Sequence, residues 1–318
     1  MTVSLRPRAL AALIAVLAMT VVSAGCGSDA REAGSAESSA DARALLERAV
    51  HKQKAVDSGD IALELKADVK GIAGLQGPLA LRLAGPFKSN GAKKLPSLDW
   101  DVGFSGAGQR LSGGLIATED DAFLRFQGRS YGLGKDAFAS IARRLELTRP
   151  DRPGQIGLDP VSWLENAKVD DRGDPVGGED TRRITGSVDV HKAIGDLVDL
   201  LESPALRKKL EQQGGTAVPE LRRPADKDLK EIEDAVKAVD VELNVDRNDV
   251  LRRFFTRIVF KFPRDGDDVG GSLSLTYVLR KVGTNPVIRA PSGARPLSEL
   301  SGGLGLGGLG YGLDGKRD

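Results

Sequence analysis

The alternation of apolar and polar positions carries most of the structural information in this chain. From Ala42 to Val56 the apolar residues Leu45, Leu46, Ala49, Val50 and Val56 recur near the helical spacing, with Asp41 placed as an N-cap. The period then changes to two. Ile61, Leu63, Leu65, Ala67 and Val69 alternate with Ala62, Glu64, Lys66, Asp68 and Lys70. Leu79, Leu81 and Leu83 continue the pattern, followed by Leu98, Trp100, Val102 and Phe104, then Leu111 to Ala117 and Ala122 to Gln127. Gly, Pro, Asn and Asp fill the intervals, as turns require. Such a run predicts an antiparallel sheet with one dry face and one wet face.

Helical spacing returns at Phe138, Ile141, Ala142 and Leu145. A second helix is expected over Pro160 to Ala167, with Asp159 as N-cap and Pro160 at its first position. Val169 to Val190 reads as strand, with turns at Arg172-Gly173 and Gly177-Gly178. Ala193 to Leu201 reads as helix, and Ser203-Pro204 starts a turn running to about Gln213. Asp226 opens another helix, with Leu229, Ile232, Val236 and Val239 on one face. Val241, Leu243 and Val245 form a strand. Phe255 to Phe262 and Ser272 to Lys281 form a hairpin around Asp265 to Gly271, and Val287 to Arg289 is placed to close the sheet. The fold class is therefore α+β. One folded domain is expected over 41–291, with a disordered Gly-rich tail over 292–318.

The N-terminus has a separate logic. Arg6 and Arg8 precede an uncharged apolar run from Ala9 to Val22, followed by Ser23, Ala24, Gly25 and Cys26. A basic start, a short apolar stretch and small residues make a secretory signal peptide over 1–25. The run is short for a membrane span, which needs about 20 predominantly apolar residues. The sole Cys of the chain sits directly after Ala24-Gly25 and resembles a bacterial lipobox, in which the Cys is acylated and becomes the first mature residue. Ser23 departs from the Leu usual three positions before that Cys. Two or more acyl chains give a stable anchor, at about 0.8 kcal/mol per buried CH₂. Residues 26–40 hold no large apolar side chain and read as a flexible tether, spanning about 20–25 Å. The implied location is the extracytoplasmic face of a cell membrane.

Composition removes several function classes. The 46 Lys+Arg against 45 Asp+Glu give a net charge of +1, which offers no general attraction to nucleic acid. Loss of Arg6 and Arg8 with the leader takes that charge to −1. One Cys excludes an internal disulfide and a multi-Cys zinc site.

The sharper motifs fail on inspection, so no catalytic, cofactor-binding or metal residue is assigned. Gly303, Gly305 and Gly308 fit G-x-G-x-x-G without the strand and helix that a dinucleotide site needs. Gly132-Leu133-Gly134-Lys135 lacks the spacing of a P-loop and reads as a strand-to-helix turn. Asp265, Asp267 and Gly270 resemble a calcium loop, but Val269 and Thr276 stand where oxygen ligands belong. Nothing brings His51 and His191 together. No nucleophile–base pair emerges, so an enzyme is not expected. Arg182-Arg183, Arg222-Arg223 and Arg252-Arg253 read as solvated faces, with contact to anionic headgroups as the minority reading.

The order of lipobox, tether, helix, strands, helices and strands resembles the LppX/LprG type of actinobacterial lipoprotein, related in architecture to the LolA/LolB carriers. The resemblance runs over Ile61 to Phe87, Phe123 to Phe138, Leu158 to Val190 and Val241 to Pro291. It includes Leu158-Asp159-Pro160, Glu179 to Asp189 and Asn285 to Pro291. It implies a strongly curved antiparallel sheet, an incomplete barrel, with helices on its concave face. It further implies an apolar cavity for acyl chains of a lipid or glycolipid; a membrane transporter is a further partner to consider, and partnering a transporter or cell-wall complex is the core of the alternative reading. The candidate cavity lining is Leu63, Leu65, Leu81, Leu83, Trp100, Val102, Phe104, Leu124 and Phe126, each of which suits core packing as well. The alternative is a structural or interaction lipoprotein with a filled core. The section between Val190 and Val239 and the Gly-rich tail depart from the family pattern.

Overall fold

The structure is a computed structural model describing residues 39–51, 56–71, 77–91, 94–106, 108–148, 160–202, 226–264 and 267–303. Cys26, the leader, the tether up to residue 38, the turn after Ser203 and the glycines beyond 303 lie outside the described residues, whereas Ser39 and Ala40, expected in the tether, open a helix that starts before the Asp41 expected as its N-cap.

Helix α1 spans Ser39–His51, and five strands follow it: β1 (Ser58–Lys70), β2 (Leu79–Lys88), β3 (Ser97–Gly106), β4 (Gln109–Ala117) and β5 (Ala122–Phe126). Then come β6 (Arg129–Gly132), α2 (Lys135–Thr148), a 3-10 turn (Pro160–Trp163), β7 (Leu164–Val176) and β8 (Glu179–Val188). The chain continues with α3 (Val190–Glu202), α4 (Asp226–Ala235), β9 (Val236–Asp246), β10 (Leu251–Arg264) and β11 (Asp267–Arg280). It ends with β12 (Arg295–Pro296) and α5 (Leu297–Gly303). The strand order is β12-β6-β5-β4-β3-β2-β1-β11-β10-β9-β8-β7. That order has two ends, so the sheet is open, and the fold is the α+β class expected.

The chain gathers into two compact units. The first holds residues up to Val56, Leu63–Ala80 and Pro150–Arg280; the second holds Asp57–Ala62, Leu81–Arg149 and Lys281 onward. A single domain is the expectation from sequence, and β1 and β2 each contribute residues to both units.

In the first unit, β8, β9, β10 and β11 pair antiparallel. The register Ile184↔Leu243↔Phe254↔Tyr277 puts these four side chains on one face. Helix α1 lays Ala42, Leu45, Leu46 and Ala49 against Leu164, Ala167, Val169, Ile184, Leu243 and Val245, all buried. Burying an aliphatic side chain in this way stabilises by roughly 1.5–3 kcal/mol. Two ion pairs tie the same region together: Arg48 Nε to Asp249 Oδ2 at 3.3 Å, and Arg182 to Asp249 Oδ1 at 3.2 Å. Asp249 stands in the tight turn between β9 and β10, with φ of 59°.

The helix expected over Pro160 to Ala167 is one 3-10 turn, and Leu164 already pairs with Val188 as strand. Pairing along β8 outcompetes the helical start signal. Arg172-Gly173 is no turn but lies inside β7, between register shifts. A Cβ on Gly173 would lie 2.8 Å from Thr181 Oγ1 and 2.9 Å from Arg183 N, so glycine here permits close approach at a bulge.

The helix from Asp226 stops at Ala235, and Val236 and Val239 pair with Phe260 and Ile258 as strand. The hairpin turn expected over Asp265 to Gly271 is tighter, because pairing continues to Arg264↔Asp267. Gly271 serves packing instead: a Cβ there would meet the Asp68 carbonyl of β1 at 2.0 Å.

In the second unit, β3, β4, β5 and β6 pair antiparallel. Val287 to Arg289 is not a strand, and Val287 is 73% exposed. Pro286 and Pro291 flank it, and proline lacks the N–H a ladder needs. The sheet gains Arg295 and Pro296 instead, paired in parallel with Tyr131 and Gly132. That short strand and α5 occupy residues expected in the disordered tail. The start of β1 is fixed to the 281–284 turn by Gly283 N–H to Ser58 O at 3.0 Å and by Lys281 Nζ to Asp60 Oδ2 at 2.6 Å.

Candidate functional site: two faces of the second unit

Strand register separates the second unit's sheet into chemically distinct faces. Trp100 faces Leu115, which faces Leu124. Val102 faces Gly113, which faces Phe126, and Phe104 faces Leu111. Trp100, Val102, Phe104, Leu124 and Phe126 therefore share one apolar face. It is incompletely covered: Phe104 is 40% exposed and Leu111 is 54% exposed. Leu81 of β2 is 37% exposed, and Leu83, Trp100, Val102, Leu124 and Phe126 are half-buried. Among the described residues the buried indole N–H of Trp100 has no acceptor. Leu63 and Leu65, half-buried on β1, belong to the first unit.

The opposite face is polar beyond its Asp99↔Ile116↔Phe123 row, where Ile116 and Phe123 are buried. Asp101 faces Gly114, which faces Arg125, while Gly103 faces Ser112 and Ser105 faces Arg110. Arg125 reaches Asp99 Oδ1 and Asp101 Oδ1, each at 2.9 Å. It crosses over Gly114 to do so; a Cβ on that residue would fall 2.3 Å from Arg125 Nε.

A groove of about 790 Å³ lies over β2 to β5, lined by Arg82, Ala84, Asp101, Gly103, Arg110, Ser112 and Arg125, and completed by Val102, Leu111, Gly113, Phe126, Gln127 and Gly128. Its strand side chains are mainly those of the polar face. Leu81, Leu83, Trp100, Phe104 and Leu124 do not line it. Of the nine candidate lining residues, only Val102 and Phe126 reach this groove. Nothing in the sequence marks the groove, because Arg82, Arg110 and Arg125 come from three strands and meet only through register. A smaller groove of about 250 Å³ is lined by Lys88, Asn90, Ser97 and residues 285–288.

Of the arginine pairs read as solvated faces, with headgroup contact as the minority reading, Arg222-Arg223 lies outside the described residues and the other two meet carboxylates. Arg182 meets Asp249, Arg183 meets Asp170, and Arg253 meets Glu242 at 2.5 Å. Arg252 is buried, with Nε and a terminal nitrogen each 2.7 Å from Asp246 Oδ2. Asp246 Oδ1 accepts from the N–H groups of Asn248 and Val250. This buried pair pins the β9–β10 turn. Burial pushes the Tyr277 hydroxyl up to about 12 against an ordinary 10.0, with the Arg252 charge opposing.

Other titratable groups sit in structural contacts. His191 Nδ1 lies 2.7 Å from Glu233 Oε1, between α3 and α4. The Trp163 indole donates to Asp196 Oδ2 at 2.5 Å. Among the described residues no cluster of His, Cys, Asp and Glu could hold a metal, and no helix is long and apolar enough to cross a membrane.

Comparison with known proteins adds two solved structures. The crystal structure of LprF from Mycobacterium bovis is 14% identical, with 81% of this chain and 100% of that chain covered and a TM-score of 0.39. A porin-like protein from Bacteroides uniformis is 10% identical, with 69% and 96% covered and a TM-score of 0.21. No family model and no curated protein matches the chain.

Proposed function

We propose that the chain is an envelope lipoprotein that binds acyl chains of a lipid or lipoglycan, for transport or presentation. Residues 1–25 act as its leader, acylated Cys26 as its anchor, and residues 26–40 as its tether at the extracytoplasmic face. The observation that carries the reading is the apolar face of the second unit. Large side chains at Trp100, Phe104, Leu111 and Phe126 share one sheet face, yet Phe104 and Leu111 remain 40% and 54% exposed. Contiguous exposed apolar side chains mark a binding surface. An acyl chain laid on them gains about 25 cal/mol per Å² of apolar area removed from water. Such binding requires no reacting group.

The test is native mass spectrometry of lipidated protein from a membrane-containing host. Retained acyl compounds, lost in a Phe104→Asp/Leu111→Asp variant, are the expected result. Protein that is repeatedly empty overturns the reading. A second reading, a tethered partner of a transporter or cell-wall complex, is favoured by the closely filled α1 interface, where Leu45, Ile184 and Val245 are at most 1% exposed. It predicts empty protein whose apolar face is covered by another polypeptide.

A further inference from the structure

We propose that the groove on the polar face of β2 to β5 binds a phosphorylated polyol or sugar, with Arg82 and Arg110 as the charge-bearing contacts. Three arginines from three strands line one depression. Arg125 is neutralised and held by Asp99 and Asp101. Arg82 and Arg110 are exposed and have no carboxylate within salt-bridge distance among the described residues. Arg82 and Arg110 bring two positive charges, and the Asp99–Arg125–Asp101 cluster takes back one, so the groove keeps the net positive charge that attracts a phosphate monoester. Guanidinium geometry also suits phosphate, offering paired N–H groups to two oxygens.

The space between the arginines is made by small residues. Ala84, Gly103 and Ser112 leave room where larger side chains would fill the face. The groove, about 790 Å³ and open to solvent along one side, has room for more than a bare phosphate. The Gln127 amide, the Ser112 hydroxyl and the Asp101 carboxylate supply the donors and acceptors that hydroxyl groups need. These features favour a phosphate carried on a hydroxyl-rich group.

A lipid headgroup and a free sugar phosphate share this chemistry. The groove lies on the sheet face opposite the apolar one, so a headgroup held there belongs to a lipid other than one laid on that face, and neither source rests on the acyl-binding reading. Two measurements on the full lipidated chain in detergent separate them. Titration calorimetry with glycerol 3-phosphate reads the groove alone. Native mass spectrometry comparing dioleoyl phosphatidylglycerol with dioleoylglycerol reads the phosphate at constant acyl content.

Glycerol 3-phosphate is expected to bind, with affinity falling as salt rises. Arg82→Gln/Arg110→Gln should weaken it at least tenfold, and Asp101→Asn should tighten it. Phosphatidylglycerol retained at least tenfold more than dioleoylglycerol, with that preference lost in the double variant, identifies the headgroup source. Glycerol 3-phosphate binding without a lipid preference identifies the soluble one. No glycerol 3-phosphate binding, or binding unchanged by both variants, overturns the proposal. Acyl retention that persists in that case leaves the acyl-binding reading standing.

Discussion

Arg125 occupies the space that a side chain at Gly114 would fill. The two residues are direct cross-strand partners, and a Cβ on Gly114 would lie 2.3 Å from Arg125 Nε. A glycine on β4 thus lets an arginine on β5 reach the two aspartates of β3. Gly114→Ala is expected to displace Arg125 and break its pairs with Asp99 and Asp101. Those pairs are partly solvated, so stability should change by less than about 1 kcal/mol. The check is the loss of both ion pairs in a crystal structure, together with an almost unchanged denaturation midpoint.

The buried pair in the first unit behaves differently. Arg252 and Asp246 have side-chain exposures of 6% and 1%. Arg252→Met leaves the Asp246 carboxylate without its cation in a dry site. The expected loss is about 3–5 kcal/mol, measured by urea unfolding. A loss below 1 kcal/mol would show that the two backbone N–H donors suffice for Asp246.

Gly271 faces the carbonyl of Asp68 on the neighbouring strand, where a Cβ would approach to 2.0 Å. Backbone cannot move aside as a flexible side chain can. Gly271→Ala should therefore separate β1 from β11 and cost about 1–3 kcal/mol or more. Hydrogen exchange should report it as lost protection at Asp68, Val69 and Gly271.

Leu45 of α1 is 1% exposed within the first-unit core. Leu45→Ala is expected to cost about 2–5 kcal/mol, combining lost transfer energy with the cavity left behind. Thermal unfolding followed by circular dichroism measures it. Survival of the fold without loss of stability would mean that α1 does not hold the sheet.

Tyr277 gives a pH signature. Its hydroxyl titrates near 12 in the folded chain and near 10.0 when free. The folded state thus holds the proton more tightly. The associated stability is complete below pH 10 and is lost as pH rises towards 12. Two units correspond to about 2–3 kcal/mol. Tyr277→Phe should remove that part of the alkaline decline, compared with the parent chain by denaturant titration between pH 9 and 12.

The strands are legible from alternation alone, because most apolar residues of β3 and β5 face an apolar residue of β4, with Gly113 standing opposite Val102 and Phe126. Segments such as Ile61 to Val69 and Leu98 to Phe104 sit within β1 and β3. Errors fell where one residue type serves two purposes. Gly173 and Gly271 look like turns in sequence, yet both relieve contact between paired strands. Val236 and Val239 continue a helical spacing but are claimed by pairing with β10. The apolar face was readable as a set of candidates; its partial exposure was not, since coverage depends on distant elements. The arginine groove was illegible altogether, because register between strands, not proximity in the chain, brings its members together.

The bulged outer strand has a consequence for assembly. β7 stands at one end of the strand order, where unpaired N–H and C=O groups could template another polypeptide. Its register slips at three places, Asn166 takes a left-handed conformation with φ of 51°, and Asp170, Asp171, Arg172 and Asp174 crowd its middle. The opposite end closes on two residues, one of them proline. Both margins therefore resist fibre-like stacking, even though one sheet face displays greasy side chains.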